Sequence, residues 1–373
     1  MILKKFSAQS FRNIEKCEIE FGQGLNLLHG KNAQGKTNAL EGIYIFSRGR
    51  SFRAREDGDL VKFGSQGFRL KIEYEDNSGD GTLEYSMFGK ERQRKKNGYK
   101  LKGPSEMIGS FRSVLFYPDN LEIVKGGPEA RREFLNIAIA QCYPSYVKYY
   151  SDYKKAVENR NCLLKAASKG LYYTEDEILS WSYSMAEYAS YIYLMRAEYI
   201  KRIAPHVEKI MQGISDGEEA AELLYCSDIA GESLDSNDNP SREYVFEEYK
   251  KILTSSLDRE KAAGVSLFGP HRDDLKISVN GNDTRHFASQ GQQRSAVLAL
   301  KLSEGEVIRE LTGEYPVYLF DDVLSELDGK RRKFVLTGLS DRQIIITSCE
   351  SEEYKQFGAN IVEVFDGVYA KES

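Results

Sequence analysis

Hydrophobic and polar positions alternate through the first 30 residues. Residues 3–11 and 16–21 carry the period of half-buried strands, and 25–28 form a short apolar third. Residues 68–75 and 82–88 alternate as well. Asn97-Gly98, set between a basic stretch and YKLKG, is a hairpin-turn signal. A helix-compatible run follows residue 35. Up to about residue 117 the pattern predicts a strand-rich half-domain with one early helix.

The period changes near Pro118. Pro128 and Pro144 each open a helical run, the second ending at Gly170. Thr174 and Glu177 form a capping box before a third helix to about residue 213, which Pro205 is expected to kink or break. Residues 143–199 hold 12 of the 24 tyrosines, and the spacing predicts an aromatic helix–helix interface rather than a stacking surface for nucleic acid. Residues 227–241 read as a polar, turn-rich loop. Strand character returns at 265–280, a helix follows Gln290, and 316–320 and 343–347 are short strands of buried type. An α/β domain that opens the chain, is interrupted by helices and resumes fits this order. The expected segments are 1–117, 118–264 and 265–373, with a mainly helical lobe inserted in the middle.

Composition narrows the class. Among 373 residues, 41% are hydrophobic, with 18 Phe and 24 Tyr, which is too much burial drive for a disordered chain. Five scattered cysteines form no C-x-x-C pair, so a zinc site or disulfide framework is not expected. The N-terminal segment lacks the apolar run of a secretory signal, and no stretch reaches the length of a membrane span. A cytoplasmic protein is the expectation. The net charge is −5, yet residues 1–112 hold 21 Lys+Arg against 14 Asp+Glu. A polyanionic partner is therefore expected on the N-terminal part.

Gly30-Lys31-Asn32-Ala33-Gln34-Gly35-Lys36-Thr37 fits G-x-x-x-x-G-K-[ST]. An apolar strand enters it and a helical run leaves. The glycines let backbone N–H groups wrap a phosphate, and the helix adds its positive end. Lys36 is placed for the β- and γ-phosphates of a nucleotide, and Thr37 for Mg²⁺. The apolar strand at 316–320 ends in Asp321 and Asp322. Asp321 is the expected metal carboxylate and Asp322 the group that polarises an attacking water. Ser289-Gln290-Gly291-Gln292-Gln293-Arg294 puts a hydroxyl and a glycine at a helix start, a second anion-binding end.

With these parts on one chain, the sequence resembles ABC-type ATPases of the group that includes SMC and Rad50 heads. Ser289 to Gln292 resembles the ABC signature, Ser325 to Asp328 the D-loop, and Ser10-Phe11-Arg12-Asn13 the group's first strand. Phe116 to Leu121, Glu129 to Phe134, Asn159 to Lys165 and Gly269 to Leu275 narrow the resemblance to the RecF family of bacterial recombination mediators. That resemblance implies an ABC-type head with a mixed sheet and an inserted helical lobe. It implies an ATP-dependent DNA-binding protein acting at gaps and stalled forks in replication, repair and SOS induction, near the nucleoid. RecR and RecO are the implied partners. Head-to-tail pairing of two chains is implied, because the phosphate loop of one faces the signature of the other. Arg12 and Asn13 are further candidates for nucleotide contact.

Four departures from the wider pattern stand out. Asp322 occupies a place where Glu is usual, so slow hydrolysis is expected. Gln290 replaces the first signature glycine. Thr347 and Ser348 lie where a switch histidine is usual, and the Q-loop is represented only by Asp119 or Asn120. For DNA, the candidates are Arg48, Arg50, Arg53 and Arg55, together with Lys95 and Lys96 of the basic hairpin. Three other readings compete, a transporter ATPase subunit, an SMC-like structural head and a small-molecule kinase built on a phosphate loop.

Overall fold

The computed structural model describes residues 1–229 and 240–371. Most of the predicted 227–241 loop therefore lies outside the described residues. The chain divides into two compact units. The first gathers 1–121, 209–219 and 294–373, and the second 122–208 and 220–293.

In the first unit the alternating segments form a six-stranded antiparallel sheet. Its order is Ile14–Glu20, Ile2–Phe11, Gly67–Asp76, Gly79–Phe88, Glu91–Lys96 and Tyr99–Lys100. The Asn97-Gly98 turn has both residues at positive φ, as a two-residue hairpin of this hand requires. A second six-stranded sheet runs Val368–Lys371, Asn360–Phe365, Leu25–His29, Ile344–Ser348, Val317–Asp321 and Ser113–Phe116. Its middle pairings are parallel, so the strands from Leu25, Ile344 and Val317 end at the same edge. Helix Lys36–Arg48 leaves that edge. It buries Leu40, Ile43 and Phe46 in one apolar cluster with Phe6, Leu70, Leu28 and Leu319. The core thus lies between the two sheets, and the edge of the parallel strands is left to carry chemistry.

The second unit holds helices Pro128–Cys142, Pro144–Ser168, Arg242–Ser255 and Leu257–Ala263, and helix Glu175–Ile214 up to residue 208. The Thr174–Glu177 capping box forms as expected. Pro205 does not break its helix, which is continuous over 40 residues. The proline forfeits one backbone hydrogen bond, while Ile203 and Val207, two residues to either side in sequence, are buried. Tyr146, Tyr153, Tyr193 and Tyr199 are buried, as the helix-interface reading required.

The unit also contains a three-stranded sheet, Asn282–Asp283, Asp274–Val279 and Ala221–Cys226, whose last strand the pattern did not predict. Residues 265–293 accordingly group with the helical unit rather than with the first. The physical reason is the antiparallel ladder between Asp274–Val279 and Ala221–Cys226.

Candidate nucleotide site and basic cleft

The phosphate loop joins strand Leu25–His29 to helix Lys36–Arg48. A Cβ at Gly30 would stand 2.2 Å from the Val364 carbonyl oxygen, so only glycine fits. Gly35 caps the helix at φ 110, a left-handed conformation that glycine adopts without strain. The hairpin of Asn360–Phe365 and Val368–Lys371 braces the loop from the other side. Gly367 N–H donates to the Gln34 carbonyl (2.9 Å). Asp366 N–H donates to Gln34 Oε1 (2.6 Å), and the Tyr369 hydroxyl to the Gly35 carbonyl (2.8 Å). The result is a cavity of 130 Å³ lined by residues 32–38, Arg53 and Asp322. Lys36 Nζ donates to the carbonyls of Gly30 (2.6 Å) and Lys31 (3.0 Å) and lies 3.3 Å from Cys349 Sγ.

Thr37 Oγ1 donates to Asp321 Oδ1 at 2.7 Å, although the two are 284 residues apart. Asp321 is buried, and burial pushes its carboxyl above the usual range, against the pull of hydroxyl donors from Thr37 and Thr347. A hydroxyl beside a buried carboxylate is a hard-oxygen donor pair. It suits a small cation that takes its remaining ligands from phosphates and water. Among the described residues there is no larger cluster of metal-ligating side chains. Asp322, the next residue, sits at φ 54, a left-handed conformation unusual for a residue with a side chain.

The structure adds a residue that the motifs did not single out. Glu41, one turn along the phosphate-loop helix, is fully buried. Arg12 grips it with two bonds (2.7 and 2.9 Å). Arg53 adds a third (2.6 Å), and the Ser51 hydroxyl a fourth. Burial raises its carboxyl and the two guanidinium groups lower it, with the net shift downward. Arg12 is therefore engaged with Glu41 and the Asp59 carbonyl. Asn13 does touch the loop, donating to the Gln34 carbonyl at 3.3 Å and accepting from Asn38 at 2.7 Å. Arg53, read from sequence only as a DNA contact, lines the phosphate cavity and donates to Asn38 Oδ1. The one signal for Glu41 was an acid inside an otherwise apolar helical run.

Arg48 and residues 50–57 line a second cavity of 410 Å³, which carries Arg48, Arg50, Arg53 and Arg55. Asp57, on its rim, accepts from Arg92 Nε of the basic hairpin at 2.5 Å. The two basic clusters, some forty residues apart in sequence, thus meet. Along strand Glu91–Lys96 alternate residues face opposite ways. Lys96 shares the face of Arg92 and Arg94, and donates to the Ser110 hydroxyl. Lys95, the other hairpin candidate, lies on the opposite face, paired in register with Glu84 and Lys100.

In the second unit, Ser289 and Gln292 cap each other at the start of helix Gln290–Thr312. Gln292 N–H donates to Ser289 Oγ, and Ser289 N–H to Gln292 Oε1. Ser289 and Gln290 are exposed, and Gly291 is half-buried. In the first unit, Arg294 bonds the Glu326 carbonyl (3.0 Å), and Asp328 caps helix Gly329–Gly338. Asn120, a Q-loop candidate, closes a local turn by accepting from Tyr117 N–H. Asp273 pairs with buried Arg196, and Asp274 with Arg131.

A phosphate loop at the edge of parallel strands, an acidic strand end beside it and an antiparallel sheet packed against its helix define an ABC-like P-loop head. The model of the RecF/RecN/SMC N-terminal domain matches residues 2–372. The DNA replication and repair protein RecF of Thermoanaerobacter sp. (strain X514) is 38% identical over 373 residues, the whole of both chains. The solved structure of the recombination mediator protein RecF-ATP in the RecFOR pathway superposes with a TM-score of 0.91 at 35% identity. It covers 100% of this chain and 98% of that one. The Smc head domain from Pyrococcus furiosus, at 18% identity and a TM-score of 0.55, shares the fold over 99% of this chain and 95% of that one. The chain belongs to the RecF family.

Proposed function

We propose that this chain is an ATP-dependent, DNA-binding recombination mediator that pairs with a second copy when ATP is bound. The observation that carries this is the placement of Lys36 and Thr37 at one helix start, with Asp321 at 2.7 Å from Thr37. The relative whose structure covers the whole of this chain is described with ATP, which supports the nucleotide.

Lys36 exchanges its bonds to the Gly30 and Lys31 carbonyls for the β- and γ-phosphates. Thr37 and Asp321 are the residues that would hold Mg²⁺. That ion supplies charge neutralisation at the phosphate oxygens. Asp322 orients the attacking water. Its side chain is one carbon shorter than Glu, so turnover is slow and ATP serves as a switch rather than a fuel. Ser289 and Gly291, at an exposed helix start, complete the site of the facing copy, and hydrolysis removes the bridge between copies.

The duplex contacts fall to the arginine cleft and to the Arg92–Lys96 face. Phosphate contacts there give binding that is weakly sequence-specific and strongly salt-dependent. RecO and RecR are the partners that family membership suggests. Among the described residues no helix is long and apolar enough to cross a membrane.

Sedimentation velocity tests the pairing. Wild type with ATP sediments as a dimer, and Ser289→Arg stays monomeric while binding nucleotide with near wild-type affinity. A Ser289→Arg protein that still dimerises with ATP sinks this reading.

A further inference from the structure

Thr347 lies where the wider ABC pattern has its switch region, and the function proposed above leaves it without a task. It is 1% exposed, too deep to touch a nucleotide. Its hydroxyl nevertheless meets both strand-end acids. Thr347 Oγ1 donates to Asp321 Oδ1 at 3.0 Å and accepts from Asp322 N–H at 2.9 Å.

The register explains why this residue can do so. Ile344–Ser348 lies between the phosphate-loop strand and the acidic strand, with Thr347 opposite Asp321 on one side and Leu28 on the other. Asp321 is the last residue of its strand. Asp322 turns into the left-handed region, at φ 54 and ψ 4, and leaves the ladder. The Thr347 hydroxyl takes up the Asp322 N–H at that turn. Thr37 and Thr347 both donate to the same oxygen, Oδ1, and so fix the rotation of the Asp321 carboxylate.

We propose that Thr347 is a positioning residue for hydrolysis, aiming the metal carboxylate of Asp321 and locking the backbone turn that directs Asp322. The proposal rests on the hydrolytic reading above. Valine keeps the shape of threonine and removes both bonds, whereas serine keeps the hydroxyl.

Thr347→Val is expected to lower kcat for ATP by roughly 10- to 100-fold, the cost of a misplaced reacting group. Its KM stays within about threefold. It binds a fluorescent ATP analogue as wild type does in EDTA, but gains less affinity when Mg²⁺ is added. Thr347→Ser restores both readouts. Independently of any variant, the Asp322 amide of the wild type exchanges hydrogen as slowly as the strand amides. The inference is overturned if Thr347→Val keeps wild-type kcat and Mg²⁺ response, if serine is as impaired as valine, or if the Asp322 amide exchanges like a loop amide. A wild type with no turnover sinks the hydrolytic reading instead, and the amide measurement still tests the contact.

Discussion

Buried charge in the helical unit and buried charge at the phosphate loop are settled differently. In the second unit Arg160 is fully buried and sealed by protein alone. It donates to Ser182 Oγ (2.8 Å), Ser266 Oγ (2.9 Å), the Leu253 carbonyl (3.3 Å) and Glu260 Oε2 (2.6 Å). Arg196 is treated alike, by the Pro270 carbonyl, Asn136, Tyr146 and Asp273. In the first unit the charges at the phosphate loop have substitutes for partners. Lys36 rests on carbonyls of its own loop, and Asp321 takes the hydroxyls of Thr37 and Thr347. A buried charge with a complete protein shell is structural. A buried charge with an exchangeable shell marks a candidate ligand site.

The comparison breaks most visibly at Arg160. Arg160→Met leaves Glu260 buried without its cation, and about 3–5 kcal/mol of stability should be lost. Replacing Glu260 by Leu in the same chain should return much of that loss, because neither charge then needs a shell. Thermal and urea unfolding of the single and double variants measure it. A single variant as stable as wild type would show that the shell around Arg160 is not structural.

His271 sharpens the same contrast by pH. Its Nε2 faces the Ser266 carbonyl at 3.2 Å, which can only accept, so Nε2 carries the proton. Nδ1 then accepts from the Tyr153 hydroxyl at 2.6 Å. Burial lowers the imidazole to about 4, with the cations of Arg272, Arg132 and Arg160 adding to the effect. A base depressed in the folded state contributes stability that is fully present above pH ~6.5, the unfolded value. That stability is lost progressively as pH falls toward about 4, the unfolded chain binding the extra proton. The loss should approach about 3 kcal/mol at the acid end. His271→Gln should be less stable at neutral pH but flatter in its acid dependence. An unchanged slope would remove His271 from the account.

How much of this could be read along the chain depended on distance in sequence. The phosphate loop is eight consecutive residues, and the acidic strand end is seven, so both were legible as motifs. Period and turn chemistry gave most strands of the first sheet, because each of them alternates. What stayed hidden was made by register. Thr347 meets Asp321 and Asp322 only because Ile344–Ser348 lies beside Val317–Asp321. Arg12, Glu41 and Arg53 converge from three segments. The meeting of the two basic clusters at Asp57 and the placement of Lys95 away from Lys96 are likewise facts of pairing. Strand Ala221–Cys226 was missed because its residues, AELLYC, do not alternate apolar with polar, and only Ala221 is buried.

The smallest expected effect is also the one that separates the two kinds of shell most directly. Asp321 has its carboxyl raised by burial, so keeping it ionised costs the folded state stability at neutral pH. The sign follows from linkage. A group raised in the folded state favours folding at low pH and loses that contribution as pH rises. Asp321→Asn keeps an oxygen that can accept from Thr37 and Thr347 while removing the charge. The variant without nucleotide should therefore unfold a few degrees higher than wild type, a gain of about 1 kcal/mol at pH 7. With ATP and Mg²⁺ the order should reverse, because wild type gains the binding energy and the variant lacks the carboxylate that would hold the ion. Paired melting curves with and without Mg-ATP give both numbers. If Asp321→Asn were destabilising without nucleotide, Asp321 would have to be reclassified with Arg160 and Arg196, as a charge that the fold itself requires.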